Sequence, residues 1–247
     1  KLTEYNVTEV VFAAMGQAFF TLSLGIGALA IFGSYIGKER KLTGEAISIT
    51  ILDTFVAIVA GLIIFPACFA FGVDPGEGPG LVFVTLPNVF NAMAGGRVWG
   101  TFFFLFMTFA ALSTIIAVFQ NIIAFAQDLW GWGLKKASFV NMIAVFVLSL
   151  PCIFGMTIWS DFTILGKDIM GFEDFLVSNN LLPLGSLVYL MFCVSRYGWG
   201  WDNFLKEANT GAGISFPKKI RFYLNYILPL IVLYIFFQGY WSLFQSL

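Results

Sequence analysis

The sequence has no histidine, and Cys68, Cys152 and Cys193 stand apart from one another inside apolar stretches. Without imidazoles or clustered thiols, neither a zinc site nor a histidine-based catalytic relay can be assembled. The cysteines are most simply buried or lipid-facing thiols. Charge is scarce as well: Asp, Glu, Lys and Arg make up 11% of the 247 residues, against roughly a quarter in ordinary soluble domains. With a net charge of −1, and no Lys/Arg stripe interleaved with aromatics, the chain has no electrostatic basis for binding nucleic acid. It opens on Lys1 rather than Met, and 1–9 lack the basic segment, short apolar run and cleavage site of a signal peptide. The chain is therefore expected to be a fragment of a longer protein.

What it has in abundance is apolar surface. Hydrophobic residues make up 59%, including 30 Phe, 7 Trp and 8 Tyr, and the mean hydropathy is +0.88. No core of this size encloses so much, so the surplus must face lipid. Uncharged stretches run over 10–37, 98–127, 137–160, 175–195 and 222–247, each at least the roughly 20 residues needed to cross hydrocarbon. A sixth, over 46–72, is interrupted only by Asp53. The expected fold class is thus all-α: a polytopic protein of the cell (inner or plasma) membrane with six transmembrane helices.

Six crossings place Lys38, Arg40, Lys41, Lys135, Lys136, Arg196, Lys206, Lys218, Lys219 and Arg221 on one side, and Lys1, Arg97 and Lys167 on the other. The positive-inside rule puts the first group in the cytoplasm and both chain ends outside. An odd number of spans should then precede the fragment. On the outer side, 79–96 is uncharged and carries Pro79, Pro87, Asn88, Asn91 and Gly95-Gly96. It is expected to form a re-entrant extracellular helical hairpin; an ordinary polar-capped loop is the alternative.

Within the first span, Gly16-Gln17-Ala18-Phe19-Phe20-Thr21-Leu22-Ser23-Leu24-Gly25-Ile26-Gly27 puts hydroxyls and glycines at mid-membrane depth, where a plain helix favours Leu or Ala. Either these are small packing residues or the helix breaks. Unwound backbone is tolerated at that depth only when buried in protein or lining a cavity, where freed carbonyls can hold a cation.

These residues resemble the sixth transmembrane helix of the neurotransmitter:sodium symporter family, in its bacterial, leucine-transporter-like form. The likeness continues through Ser34-Tyr35, Val84-Thr85-Leu86-Pro87, Phe90, Phe109-Ala110-Ala111-Leu112-Ser113-Thr114 and Asp174-Phe175. The resemblance implies that 1–247 is a partial transporter domain matching family helices six to eleven. Its partners would be the missing N-terminal half of the same transporter, membrane lipid and a small-molecule amino-acid substrate.

The family binds two sodium ions. The resemblance carries Thr21 and Asp53 onto the first site, and Ala110 with Ser113 and Thr114 onto the second; such oxygen ligands suit a hard cation. A membrane-buried acid is costly and marks function by default, although Asp53 could be a protonated or arginine-paired structural group. Many relatives carry asparagine there and some place a carboxylate one turn on, where this chain has Ala57. Asp53 is therefore expected to supply that negative charge and make transport chloride-independent. Without the resemblance, Ser113 and Thr114 read as hydroxyls bonding the preceding turn's carbonyls.

Substrate-binding positions carried over are Phe20, Thr21, Ser23, Ile26, Thr114 and Val118, an apolar set with a few hydroxyls. Gate positions are Gln17 and Asp174 outside, and Tyr35 and Asp128 inside; Asp128 is equally readable as a solvated helix-end charge. The implied function is sodium-coupled symport of a neutral, hydrophobic amino acid by alternating access. Alternatives are a sodium-independent exchanger of the same broken-helix architecture, which would lack the second-site hydroxyls, or a channel subunit, which would show rings of like charge or filter carbonyls. No paired carboxylates or nucleophile motif suggests an enzyme.

Overall fold

The computed structural model describes residues 7–70, 72 and 80–246. In hydrocarbon every backbone polar group must be satisfied internally, so long uncharged runs become helices. In chain order these are α1 (Val7–Thr21), α2 (Ala28–Tyr35), α3 (Leu42–Ala70), α4 (Leu86–Ala92), α5 (Gly96–Trp130), α6 (Leu134–Gly155), α7 (Ile169–Leu176), α8 (Leu182–Val194), α9 (Trp201–Ala208) and α10 (Leu228–Ser246). Among the described residues, five continuous stretches are long and apolar enough to cross a membrane: Leu42–Ala70, Gly96–Trp130, Leu134–Gly155, Ile169–Val194 and Lys218–Trp241. The remaining expected span, 10–37, is divided into α1 and α2 by non-helical residues 22–27.

Two expectations about extent are refined. The crossing expected over 137–160 stops at Gly155, because the chain folds back so that the N–H groups of Thr157 and Trp159 both reach the Phe154 carbonyl, at 3.0 and 2.8 Å. Over 79–96 the described residues hold one helical arm, Leu81–Ala92, and Pro79 lies outside them. That arm turns at 93–95 directly into α5, so its hairpin partner is the start of the next span.

Among the described residues three π turns, Leu81–Thr85, Val177–Leu181 and Tyr223–Ile227, lead into α4, α8 and α10. Each stands just ahead of a proline, namely Pro87, Pro183 and Pro229. A proline ring clashes with the carbonyl four residues back and offers it no N–H. Here that carbonyl belongs to Phe83, Asn179 or Asn225, each inside its π turn. The wider turn is closed instead by the residue before the proline: Leu86, Leu182 and Leu228 donate to the carbonyls of Leu81, Val177 and Tyr223.

The chain divides into two compact units, 47–116 and the combination of 1–46 with 117–247. In the smaller unit, Phe90 of α4 packs against Phe103 and Phe104 of α5, with ring centroids 5.4 and 6.1 Å away. Close approach of α4 to the start of α5 requires Gly96, where a Cβ would overlap the Phe90 carbonyl. The outer surface of α3 is apolar and exposed, with Leu62 at 69% and Phe69 at 70%, a surface that belongs in lipid rather than water. In the larger unit, Leu182, Pro183, Val232, Ile235 and Phe175 are buried where α7, α8 and α10 meet. Phe12 of α1 joins them through an edge contact with Tyr234, at 4.9 Å.

Candidate functional site

The broken segment is built by its own residues. Helix α1 ends in a Schellman arrangement: Leu24 N–H reaches the Phe19 carbonyl and Ser23 N–H the Phe20 carbonyl, both at 3.0 Å. Ser23 takes the left-handed conformation, φ 51°, that glycine usually fills in this motif. Gly25 and Gly27 follow with φ 85° and 86°, and Gly27 caps α2. The helix therefore stops, reverses local hand three times and restarts within six residues.

Neighbouring helices hold this unwound peptide closely. A Cβ on Gly25 would overlap the Leu182 carbonyl and lie 2.7 Å from the Ser186 nitrogen; a Cβ on Gly185 would overlap the Gly25 carbonyl. From α5, the Asn121 amide donates to the Ile26 carbonyl at 2.7 Å. One residue earlier, Gln120 Nε2 donates to the Tyr35 hydroxyl at 2.6 Å. Consecutive amides of α5 thus tie down the unwound segment and the far end of α2.

Among the expected residues, Gln17, Phe20 and Asp174 line one cavity of about 420 Å³, together with Ser178, Asn179 and Gln238. Gln17 Nε2 donates to the Thr21 hydroxyl at 3.1 Å, and Asp174 accepts from Ser178 Oγ at 3.0 Å. Ser23 lines a smaller cavity of about 230 Å³ with Gly25, Gly27, Ser186 and Tyr189. Val118 is half-buried on α5, one turn before Asn121. Ile26 is half-buried as well, and its carbonyl faces Asn121. Asp128 is exposed near the end of α5, with no ion pair among the described residues.

Asp53, Ala110, Ser113 and Thr114 lie in the smaller unit. Asp53 is half-buried on α3 between exposed Leu52 and Phe55, and makes no ion pair among the described residues. The hydroxyls of Ser113 and Thr114 both donate to the Ala110 carbonyl, at 2.7 and 3.4 Å, which is the back-bonding that their chemistry alone suggests. A hydroxyl whose proton is spent in this way still offers its lone pairs to a cation.

Sequence reasoning missed Gln120, Asn121, Gly185, Asn179 and Asn180. Asn180 Oδ1 accepts from the Tyr240 hydroxyl at 2.5 Å, and the Asn179 amide packs on Gly239. The available signal was the pairs Gln120-Asn121 and Asn179-Asn180, adjacent amides inside otherwise apolar spans, since polar groups at that depth need partners.

Comparison with known proteins places these features in a family. The model of the sodium:neurotransmitter symporter family matches residues 1–246. A sodium-dependent transporter of Haemophilus influenzae is 35% identical over 229 residues, covering 91% of this chain and 49% of that protein. The sodium-dependent transporter YhdH of Bacillus subtilis is 34% identical over 230 residues, covering 92% and 51%. Among solved structures, that of MhsT in complex with L-phenylalanine superposes with a TM-score of 0.82 at 37% identity, covering 94% of this chain and 52% of that one. The chain therefore spans about half the length of these relatives. With a family match along almost its whole length and a helix broken at mid-span, this chain belongs to the sodium:neurotransmitter symporter family.

Proposed function

We propose that this chain is the C-terminal part of a sodium-coupled symporter for a neutral, hydrophobic amino acid, working by alternating access. The observation that carries the reading is the interruption at 22–27, where two half-helices flank peptide that has left the helical ladder. Thr21 at the end of α1 and Asp53 on α3 would contribute to one sodium site. The Ala110 carbonyl with Ser113 and Thr114 would contribute to the other, and the remaining ligands would come from the N-terminal half. Sodium here is co-transported cargo, and oxygen donors with no soft ligand suit it.

The apolar character of Phe20, Ile26 and Val118, with only the hydroxyls of Thr21, Ser23 and Thr114 among them, supports a substrate with an uncharged side chain. MhsT, whose structure holds L-phenylalanine, supports the same class. Phe20, Gln17 and Asp174 around one cavity suit an outer gate, and Tyr35 held by Gln120 suits an inner one. Alternating access follows if substrate and sodium together bias a two-state rocking of the broken helices.

The test is uptake by the full-length transporter in proteoliposomes, screened over neutral amino acids. Accumulation that requires an inward sodium gradient supports the reading. Uptake that is indifferent to sodium, or exchange only against internal amino acid, supports the sodium-independent exchanger instead.

A further inference from the structure

Where the last two spans approach the side richest in Lys and Arg, a cavity of about 230 Å³ is lined by Val194, Arg196, Gly200, Trp201, Asp202, Asn203 and Arg221. Its two guanidiniums come from different places in the chain: Arg196 just follows α8, and Arg221 stands at the start of the final span. Arg196 is laid over the Tyr197 ring and donates to its hydroxyl at 2.9 Å. Arg221 lies over the ring of buried Trp201, 5.8 Å from its centroid. Neither arginine has a carboxylate partner among the described residues. Among the described residues Asp202 is the single acid in the lining, so the two guanidiniums leave the lining with a net positive charge.

We infer that this cavity binds the phosphodiester headgroup of an anionic phospholipid. Paired guanidiniums match phosphate oxygens through bidentate hydrogen bonds that a lysine cannot reproduce. The volume is several times the roughly 30 Å³ share of one water, so a phosphate and part of its glycerol fit. Three features favour lipid over a dissolved anion. Exposed Tyr197, Trp199 and Tyr223 flank the two arginines in sequence, the amphipathic aromatics that mark a membrane interface. Lys218 and Lys219 sit on the turn that leads to Arg221, extending the positive charge. The positive-inside assignment puts this end at the leaflet that carries anionic lipid, where basic clusters between spans recruit headgroups. The inference is independent of the substrate and of either sodium site.

The test uses the full-length transporter in nanodiscs, with phosphatidylglycerol as probe and native mass spectrometry counting retained lipid after detergent washing. Wild type should retain phosphatidylglycerol in preference to phosphatidylcholine. Arg196→Gln, whose side chain is exposed and whose loss spares the core, should lower retention about fivefold, the equivalent of roughly one surface-apposed basic charge. Asp202→Asn removes the opposing carboxylate and should raise it. Equal retention in wild type and in the Arg196→Gln/Arg221→Gln double variant overturns the inference. A loss in Asp202→Asn as large as in Arg196→Gln also overturns it, because the cavity would then respond to disruption rather than to charge. If inorganic phosphate in pure phosphatidylcholine nanodiscs raises Tm as much as phosphatidylglycerol does, the ligand is a soluble anion and the lipid assignment fails.

Discussion

Asn121 on α5 donates its amide to the carbonyl of Ile26, 2.7 Å away, and the same amide would stand 3.1 Å from a Cβ on Gly27. Ile26 lies one residue ahead of the cap of α2, outside that helix's bonding ladder, so this side chain substitutes for a missing backbone donor. Asn121→Ala should leave a half-buried carbonyl unpartnered, at a cost of about 1–3 kcal/mol. Asn121→Asp should do no better, because an ionised carboxylate only accepts. In the full-length protein both variants are expected to lower Tm and raise the sodium concentration for half-maximal uptake. Wild-type values for both quantities in Asn121→Ala would show that the bond holds nothing in place.

Gly25 and Gly185 meet backbone to backbone, each in the space that a Cβ on the other would need. Gly25→Ala adds a left-handed φ of 85° to that collision, whereas Gly185→Ala adds only the collision. Overpacking costs about 1–3 kcal/mol, and the left-handed conformation adds about 1–2 kcal/mol more. The expected order of Tm loss is therefore Gly25→Ala beyond Gly185→Ala. Gly16→Ala, with nothing within 4 Å of its added methyl, should be close to neutral. A drop for Gly16→Ala matching that for Gly25→Ala would mean that glycine flexibility, not close approach, matters in this segment.

Much of this was readable from local chemistry. Uncharged runs gave the spans, because hydrocarbon leaves the backbone no alternative to helix. Glycines and hydroxyls at 16–27 marked the break, because each one lowers the stability of the turn it occupies. The partners of the break were not readable: Asn121, Gly185 and Ser186 lie roughly 90 to 160 residues along the chain, and tertiary packing alone brings them there. Nor were the π turns, because Pro66 and Pro151 sit inside α3 and α6 without one, so a proline by itself does not announce the wider turn. Gln17, Phe20 and Asp174 came from the resemblance, and their shared cavity is a property of how α1 packs beside the π turn Val177–Leu181 and α10.

Ser113 and Thr114 spend their hydroxyl protons on the Ala110 carbonyl, which leaves their oxygens free to face a cation. Thr114→Ser keeps that oxygen and should preserve sodium-dependent uptake. Thr114→Val keeps the shape without the oxygen and should raise the half-saturating sodium concentration by about tenfold, or about 1.4 kcal/mol. Equal sodium dependence in the Ser and Val variants would remove Thr114 from any ion site.

Asp53, on a helix long and apolar enough to span a membrane, makes no ion pair among the described residues. If its charge balances sodium directly, Asp53→Asn should weaken sodium dependence or render it sensitive to chloride. Uptake assayed with gluconate in place of chloride separates the outcomes. Unchanged sodium affinity in chloride-free buffer would assign Asp53 a structural role.

Pro183 denies the Asn179 carbonyl its helical donor, and the resulting π turn, Val177–Leu181, sets where the adjacent asparagines point. Restoring the N–H with Pro183→Ala lets that carbonyl bond normally and removes the reason for the extra residue in the turn. Reversion to an α-helix rotates everything upstream by roughly 100°, carrying Asn180 away from Tyr240. Tyr240→Phe removes the same contact from the other side, at about 1 kcal/mol. A double-mutant cycle on Tm should therefore be strongly non-additive, with Tyr240→Phe costing little once Pro183→Ala is present. Additive losses would mean that Asn180 reaches Tyr240 whichever turn precedes it, and that the proline shapes the helix without aiming its side chains.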